Sequence, residues 1–433
     1  MTTSSVEFDK LHLVAPTVSV RRIYCLLFTI LSVNVPGFLE FDSTNRTHDY
    51  GLINAQSLSR ILLTFVITAT LMWIWWKQAA PLILRRLKGG RYLAFCLIYF
   101  LALSLAWPIN QVALSIFRLG EWTLLYLLVA ALYSRISPAR ASSYVIKVIV
   151  RMAAIPALIV LVALPLAPSV AYRNLDEVTG IISGRLGGRL FLPNGLASML
   201  SIVYFYFFLL KSGWRRAIGM VITALLVLLT YSRAGVVGLV VGTLIFFFLY
   251  ANWFRRMTAI GVCLIGGLTA TAYLGTIVQF LGRGNDADNI STLSERATVW
   301  AASWQMFLER PFSGYGYISG PKEWLGIYVA ATHWNPSNAH NEFIQSLLEA
   351  GLFGFVLVVL FYLRLLHCVF RLKFSSRENG FFAAVLFTSL IASSMSPALT
   401  GPLNMTGAIL LLLGVHLFNY PDGNHFRCLE HPD

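Results

Sequence analysis

The sequence predicts an all-α polytopic membrane protein of about twelve transmembrane helices, with a large loop containing short helices on one side of the membrane. Three observations carry that expectation. The 433 residues have a mean hydropathy of +0.70, with 57% hydrophobic and only 12% charged residues, whereas soluble globular chains run nearer a quarter charged. The apolar residues fall in blocks of roughly 18 to 25, the length that crosses about 30 Å of hydrocarbon. Basic residues gather in alternate breaks between those blocks, as they do in cytoplasmic loops. The net charge of +14 would suggest nucleic acid in a soluble protein. Here it reads as loop anchoring at a membrane surface, with membrane lipids and no nucleic acid as partners.

Taken in order, the spans are expected to begin near Ile23, Leu58, Tyr92, Val112, Tyr144, Asn194, Ala217, Arg233, Met257, Asn341, Phe381 and Leu403. The spans at Ala217 and Arg233 almost touch, which requires a tight turn around Ser232-Arg233. The first apolar block lacks a basic leader and a small-residue cleavage site, so it is read as an uncleaved span. With the N-terminus inside, the breaks holding Arg21-Arg22, Arg85-Arg86-Lys88-Arg91, Arg135/Arg140, Lys211/Arg215/Arg216, Arg255-Arg256 and Arg371/Lys373/Arg377 are all cytoplasmic. Both termini are then cytoplasmic. The expected organisation is a membrane bundle over 1–275 with an outer loop near 168–193, a large outer loop over 276–340, C-terminal spans over 341–420, and a tail over 421–433. Cys25, Cys96, Cys263, Cys368 and Cys428 make no CxxC or loop pair, so neither a disulfide nor a zinc site is expected.

Long loops in compact proteins tend to carry function or disorder. The second outer loop contains Glu295 through Leu308, in which Val299, Trp300, Trp304, Phe307 and Leu308 recur at helical spacing. This reads as an amphipathic helix at the outer interface, compatible with a lid over a site.

Arginines on the outer side run against the charge bias. Arg185 and Arg189 lie in the first outer loop, Arg233 begins a span, and Arg296 begins the amphipathic helix. One such arginine often only snorkels to the headgroups. Several held at membrane ends with few acids nearby suggest an anion site, because the guanidinium fork donates two parallel hydrogen bonds and stays charged. Facing the same space, His340 lies at the start of a span after Asn338, a candidate helix cap. A histidine there is often structural; beside arginines it is favoured as a neutral imidazole able to accept a proton. His333 is a nearby decoy. Gly351 and Gly354 read as helix-packing positions, and Pro311 through Gly316 as a turn. Glu349 and the pair Arg118/Glu121 are intramembrane ionisable groups open to functional or structural readings.

These residues resemble a known family. His340-Asn341, nine residues, Gly351, two residues and Gly354 look like a signature of bacterial O-antigen ligases, within the O-antigen ligase/polymerase superfamily. Ser232-Arg233-Ala-Gly, Glu295-Arg296 through Trp300 with the Pro311–Gly316 turn, and Arg185 or Arg189 followed by Pro193-Asn194 are similar to further elements of that family. The resemblance covers roughly residues 180–360. It implies a GT-C-like membrane glycosyltransferase, inverting and metal-independent, with no cofactor. O-antigen on undecaprenyl diphosphate would be the donor and lipid A-core the acceptor, at the periplasmic face of the bacterial inner membrane. His340 would be the base, Arg233 and Arg296 would hold the diphosphate with Arg189 or Arg185 supporting, and Asn341 and Asn194 would assist.

The same superfamily holds Wzy-type O-antigen polymerases and O-linked protein oligosaccharyltransferases, which remain alternatives. A secondary transporter is the non-enzyme alternative; it should show repeat halves and midplane charges, whereas the polar residues here concentrate in an outer loop.

Overall fold

The computed structural model describes residues 112–133, 141–174, 184–187, 190–210, 213–250, 296–329, 338–372, 376–401 and 403–419, with a few single positions besides. Helices α1 (Val112–Tyr133), α2 (Ala141–Leu166), α4 (Pro193–Leu209), α5 (Trp214–Leu229), α6 (Arg233–Tyr250), α9 (Glu342–Arg371), α10 (Arg377–Ser393) and α11 (Met405–Asn419) begin within a few residues of eight expected spans. The spans expected near Ile23, Leu58, Tyr92 and Met257 lie outside the described stretches. Among the described residues, α2 and α9 are long and apolar enough to cross a membrane, and α4, α6 and α11 are shorter apolar helices.

The other described helices are α3 (Pro168–Ala171), α7 (Arg296–Glu309) and α8 (Ser319–Tyr328). The all-α expectation needs one amendment. Strands β1 (Tyr172–Asn174) and β2 (Gly184–Leu186) pair antiparallel, with Arg173 opposite Arg185. They sit within the stretch read as a plain outer loop, too short to show alternation in the sequence.

Among the described residues, three apolar cores organise the fold. The largest joins α1, α2, α4, α6, α9, α10 and α11, through residues such as Leu125, Ile149, Phe205, Phe361, Phe382 and Leu413. Close approach of α6 to α10 depends on Gly238 and Gly242, four residues apart on one face. A Cβ on Gly242 would lie 2.4 Å from Phe205 and 2.7 Å from the Thr388 hydroxyl, which itself donates to the Gly238 carbonyl at 2.9 Å. A second core gathers α2, β2, α4 and α5 around Leu186, Leu196 and Val227. The third is formed by α7, α8 and the first turns of α9, through Val299, Met306, Tyr315, Leu325, Ala339 and Leu348.

Helix α9 is not the continuous rod that its sequence suggested. It breaks at Ala350-Gly351, where Gly351 has φ +62° and ψ −158°. The turn Pro311–Gly316 fills the break: Tyr315 N donates to Leu348 O at 2.7 Å, Gly316 N to Glu349 O at 3.0 Å, and Leu352 N to Pro311 O at 2.7 Å. Backbone groups orphaned by the break are thereby satisfied by the turn. Gly351 thus admits a turn rather than another helix. The reason is steric, since a Cβ there would lie 2.5 Å from the Phe312 carbonyl.

The amphipathic helix also differs in detail. On α7 the buried face is Val299, Ala302, Ser303 and Met306, while Trp304 and Leu308 are exposed. The apolar residues read from the sequence therefore split between two faces.

Candidate functional site

The turn between α5 and α6 occupies Thr230–Ser232, as the near-contact of two spans required. Tyr231 takes a left-handed φ of +47°. The Ser232 hydroxyl oxygen accepts from Gly235 N at 3.0 Å, which caps α6 and places Arg233 as its first residue. Ser232 Oγ also donates to Asn194 Oδ1 at 2.9 Å. Arg185 on β2 joins the same oxygen through Nη2 at 3.2 Å, and its Nε donates to Thr230 O at 3.1 Å. Arg185 and Asn194 thus pin the turn that presents Arg233. Arg189 lies outside the described residues.

Arg296 opens α7 and directs Nη1 to within 3.2 Å of Met395 Sδ. One turn further along, Trp300 Nε1 donates to Ala339 O at 2.9 Å. Ala339 is held at its other backbone group too, because its N–H donates to Gln345 Oε1 at 2.8 Å. Gln345 Nε2 then donates to Glu349 Oε1 at 2.7 Å, which also accepts from Ile318 N at 3.0 Å.

His340 itself is half-buried, with φ +49°, and its backbone N–H donates to Asn338 Oδ1 at 2.9 Å. It stands two residues before α9 rather than in the first turn. The cap is Asn341, not Asn338: Asn341 Oδ1 accepts from Phe343 N and Ile344 N. Its Nδ2 donates to Ser394 O at 3.0 Å, so both ends of this amide hold backbone. Next in sequence, buried Glu342 accepts from the backbone N–H groups of Ala398, Leu399 and Thr400. The segment from Ser394 to Thr400 is therefore fastened to the start of α9, and it carries Met395 against Arg296.

The electrostatics tie three of the expected residues together. Burial, and then the charge of Arg233, pushes the Arg296 guanidinium below its ordinary value. Burial, and then the charge of Arg296, pushes His340 down to about 4. Arg233, Arg296 and His340 thus share one electrostatic neighbourhood although they are far apart in sequence. The larger cause at the histidine is desolvation, where the sequence had suggested cations alone. Two fixed positive charges can hold an anion, and an uncharged imidazole can accept a proton. Among the described residues no three His, Cys, Asp or Glu side chains gather as a metal-binding group.

Residues 218–359 match the O-antigen ligase family. That segment of the chain is similar to O-antigen ligases. No curated protein matches the chain. The O-antigen ligase segment contains Arg233, Arg296, His340, Asn341, Gly351 and Gly354, while Arg185 and Asn194 lie before it. This match, with the apolar helices, points to a membrane protein of ligase or polymerase type.

Other residues around His340 carry no local signal of their role. Trp300 reads as an apolar position and as the end of the Arg296-headed segment, and Gln345, Glu342 and Met395 stand out in neither way. Gln345 and Glu342 each stand within a few residues of His340, so proximity was the available signal. Nothing local marks Met395, which reaches Arg296 from 99 residues away.

Arg118 and Glu121, left open by the sequence, form an i,i+3 ion pair at 2.8 Å in α1. Glu349 belongs to the hydrogen-bond chain behind His340.

Proposed function

We propose that this chain is an O-antigen ligase, transferring polysaccharide from undecaprenyl diphosphate to a hydroxyl of lipid A-core at the periplasmic face of the bacterial inner membrane. The observation that carries the reading is the shared neighbourhood of Arg233, Arg296 and His340 within the segment that matches the family.

In this reading Arg233 and Arg296 bind the donor diphosphate, and Arg185 supports them through Asn194 and the Ser232 turn; Arg189 is a second supporting candidate. His340 removes the proton of the acceptor hydroxyl. The acceptor oxygen then attacks the anomeric carbon opposite the diphosphate, the bond from that carbon to the phosphate oxygen breaks, and configuration inverts. Undecaprenyl diphosphate leaves with its growing negative charge held by guanidinium groups, fixed before reaction begins. Bound diphosphate also offsets the field of Arg296, which raises the basicity of His340 when donor is present.

The test uses purified protein with lipid-linked polysaccharide and lipid A-core. His340→Ala should abolish product while donor binding persists, and full activity in that variant would remove His340 as the base. Arg233→Lys should lose most activity, because an ammonium lacks the two-pronged donor geometry; wild-type turnover would argue against that role. The acceptor is tested by the lipopolysaccharide of a deletion strain. Loss of the long-chain ladder with polysaccharide retained on undecaprenyl diphosphate supports the ligase. A core bearing one repeat indicates a polymerase, and unchanged lipopolysaccharide with an unglycosylated protein indicates a protein transferase.

A further inference from the structure

Helix α7 has three kinds of surface. Val299, Ala302, Ser303 and Met306 face the third core. On the opposite side Ala297, Ala301, Trp304 and Leu308 are exposed and follow i, i+4, i+7, i+11 spacing, an apolar stripe about 60° wide. A separate exposed line, Thr298, Gln305 and Glu309, is polar and flanks that stripe.

We propose that α7 lies in the lipid–water interface, with the stripe through Trp304 and Leu308 seated on the acyl chains of the surrounding bilayer. Continuity with a membrane-crossing helix argues for lipid as the occupant. Four residues after Leu308 comes exposed Phe312, whose ring lies 6.0 Å from that of Phe353 on α9. From there the exposed face of α9 continues as Val356, Leu360 and Leu363, on a helix long and apolar enough to span. Trp304, Leu308 and Phe312 are 54%, 60% and 61% exposed, too much apolar surface to leave in water beside a bilayer.

Glu309 sets the depth. It accepts hydrogen bonds from Tyr328 and Tyr315, which hold its carboxyl below the ordinary range. A charged carboxylate must stay in water, so the helix rests at the interface and does not sink further. A tryptophan at the boundary suits its amphipathic ring. On the remaining side of α7 stand Arg296 and Trp300, which places the site at the same level as the lipid surface. The inference concerns the membrane alone and survives if the assigned chemistry fails.

The experiment incorporates p-benzoylphenylalanine singly at positions 304, 305 and 308 of the full-length protein in phospholipid nanodiscs, followed by illumination and mass spectrometry. Phospholipid adducts are expected at 304 and 308, with several-fold lower yield at 305. Adducts joining two protein copies, equal yields at all three positions, or no lipid adduct at 304 and 308 would overturn the proposal. A second measurement compares Trp304→Phe with the parent in nanodiscs of acyl-chain-brominated lipid. The parent should lose an extra increment of tryptophan emission on bromination; identical losses would overturn the placement.

Discussion

Trp300 donates its indole N–H to the carbonyl of Ala339 at 2.9 Å, so the helix that begins with Arg296 also holds the peptide that precedes His340. The pair makes the arginine and the histidine one mechanical unit, although the residues that link them are 39 apart in sequence. Trp300→Phe keeps the ring and removes the donor. It should cost about 1 kcal/mol of stability. Turnover should fall about tenfold, the size of effect expected from a small misplacement of a reacting group. Donor affinity, measured separately by titration of the lipid-linked substrate, should stay near the parent value. An unchanged kcat would show that the bond does not position His340.

Gly351 stands at the break where the Pro311–Gly316 turn enters α9. With φ +62° and a Cβ position 2.5 Å from the Phe312 carbonyl, Gly351→Ala combines backbone strain with a backbone clash. The cost should be about 2–4 kcal/mol, seen as a lowered unfolding midpoint in detergent. Gly354, three residues on, lies in regular helix, so Gly354→Ala should be the milder change. Equal midpoints for the two variants would contradict the assigned role of the break.

Acid should act on His340 in two ways. Its folded value, about 4, is depressed by burial and then by Arg296, below an unfolded value near about 6.5. Between those values the unfolded chain binds more protons, so this group's contribution makes stability rise with pH from about 4 to about 6.5 and then level off. With His340 as the proposed base, activity should follow the same ionisation. The acid limb of kcat/KM, set by free protein, should fall near pH 4, and the limb of kcat should lie higher because bound diphosphate raises the imidazole. A pH-rate profile on both parameters checks this; coincident limbs would mean that donor charge does not reach His340.

Much of this was legible in the sequence because its signals are local. Apolar blocks locate α1, α2, α4, α5, α6, α9, α10 and α11, and the near-contact of two blocks locates the Ser232-Arg233 turn. Arg233, Arg296 and His340 stand out because polar, ionisable side chains at a helix start, on the side the basic loops leave as outer, run against the expected charge bias. Long-range backbone chemistry was not legible. The exit of Gly351 from helical geometry is satisfied by a turn 35 or more residues earlier, and a helical pattern hides it. The cap of α9 is Asn341 instead of Asn338 because both are asparagines that cap equally well, and the choice depends on where the chain reverses at His340. The β1–β2 pair likewise depends on tertiary contact of Arg185 with the Ser232 turn, which three-residue strands cannot announce.

Glu342 offers the sharpest test of the segment that faces Arg296. Its buried carboxylate collects the N–H groups of Ala398, Leu399 and Thr400, and the segment so held carries Met395 to Arg296 and Ser394 to Asn341. Glu342→Gln preserves shape but turns an NH2 toward donors, leaving buried N–H groups unsatisfied. A loss of about 2 kcal/mol is expected. Hydrogen exchange should quicken across residues 394–401, the backbone that the carboxylate holds. Because Arg296 would lose a fixed neighbour, donor affinity should weaken together with turnover, in contrast to Trp300→Phe, where turnover alone should fall. If exchange in 394–401 stays at the parent rate, the carboxylate does not hold that segment, and its link to the arginine site fails with it.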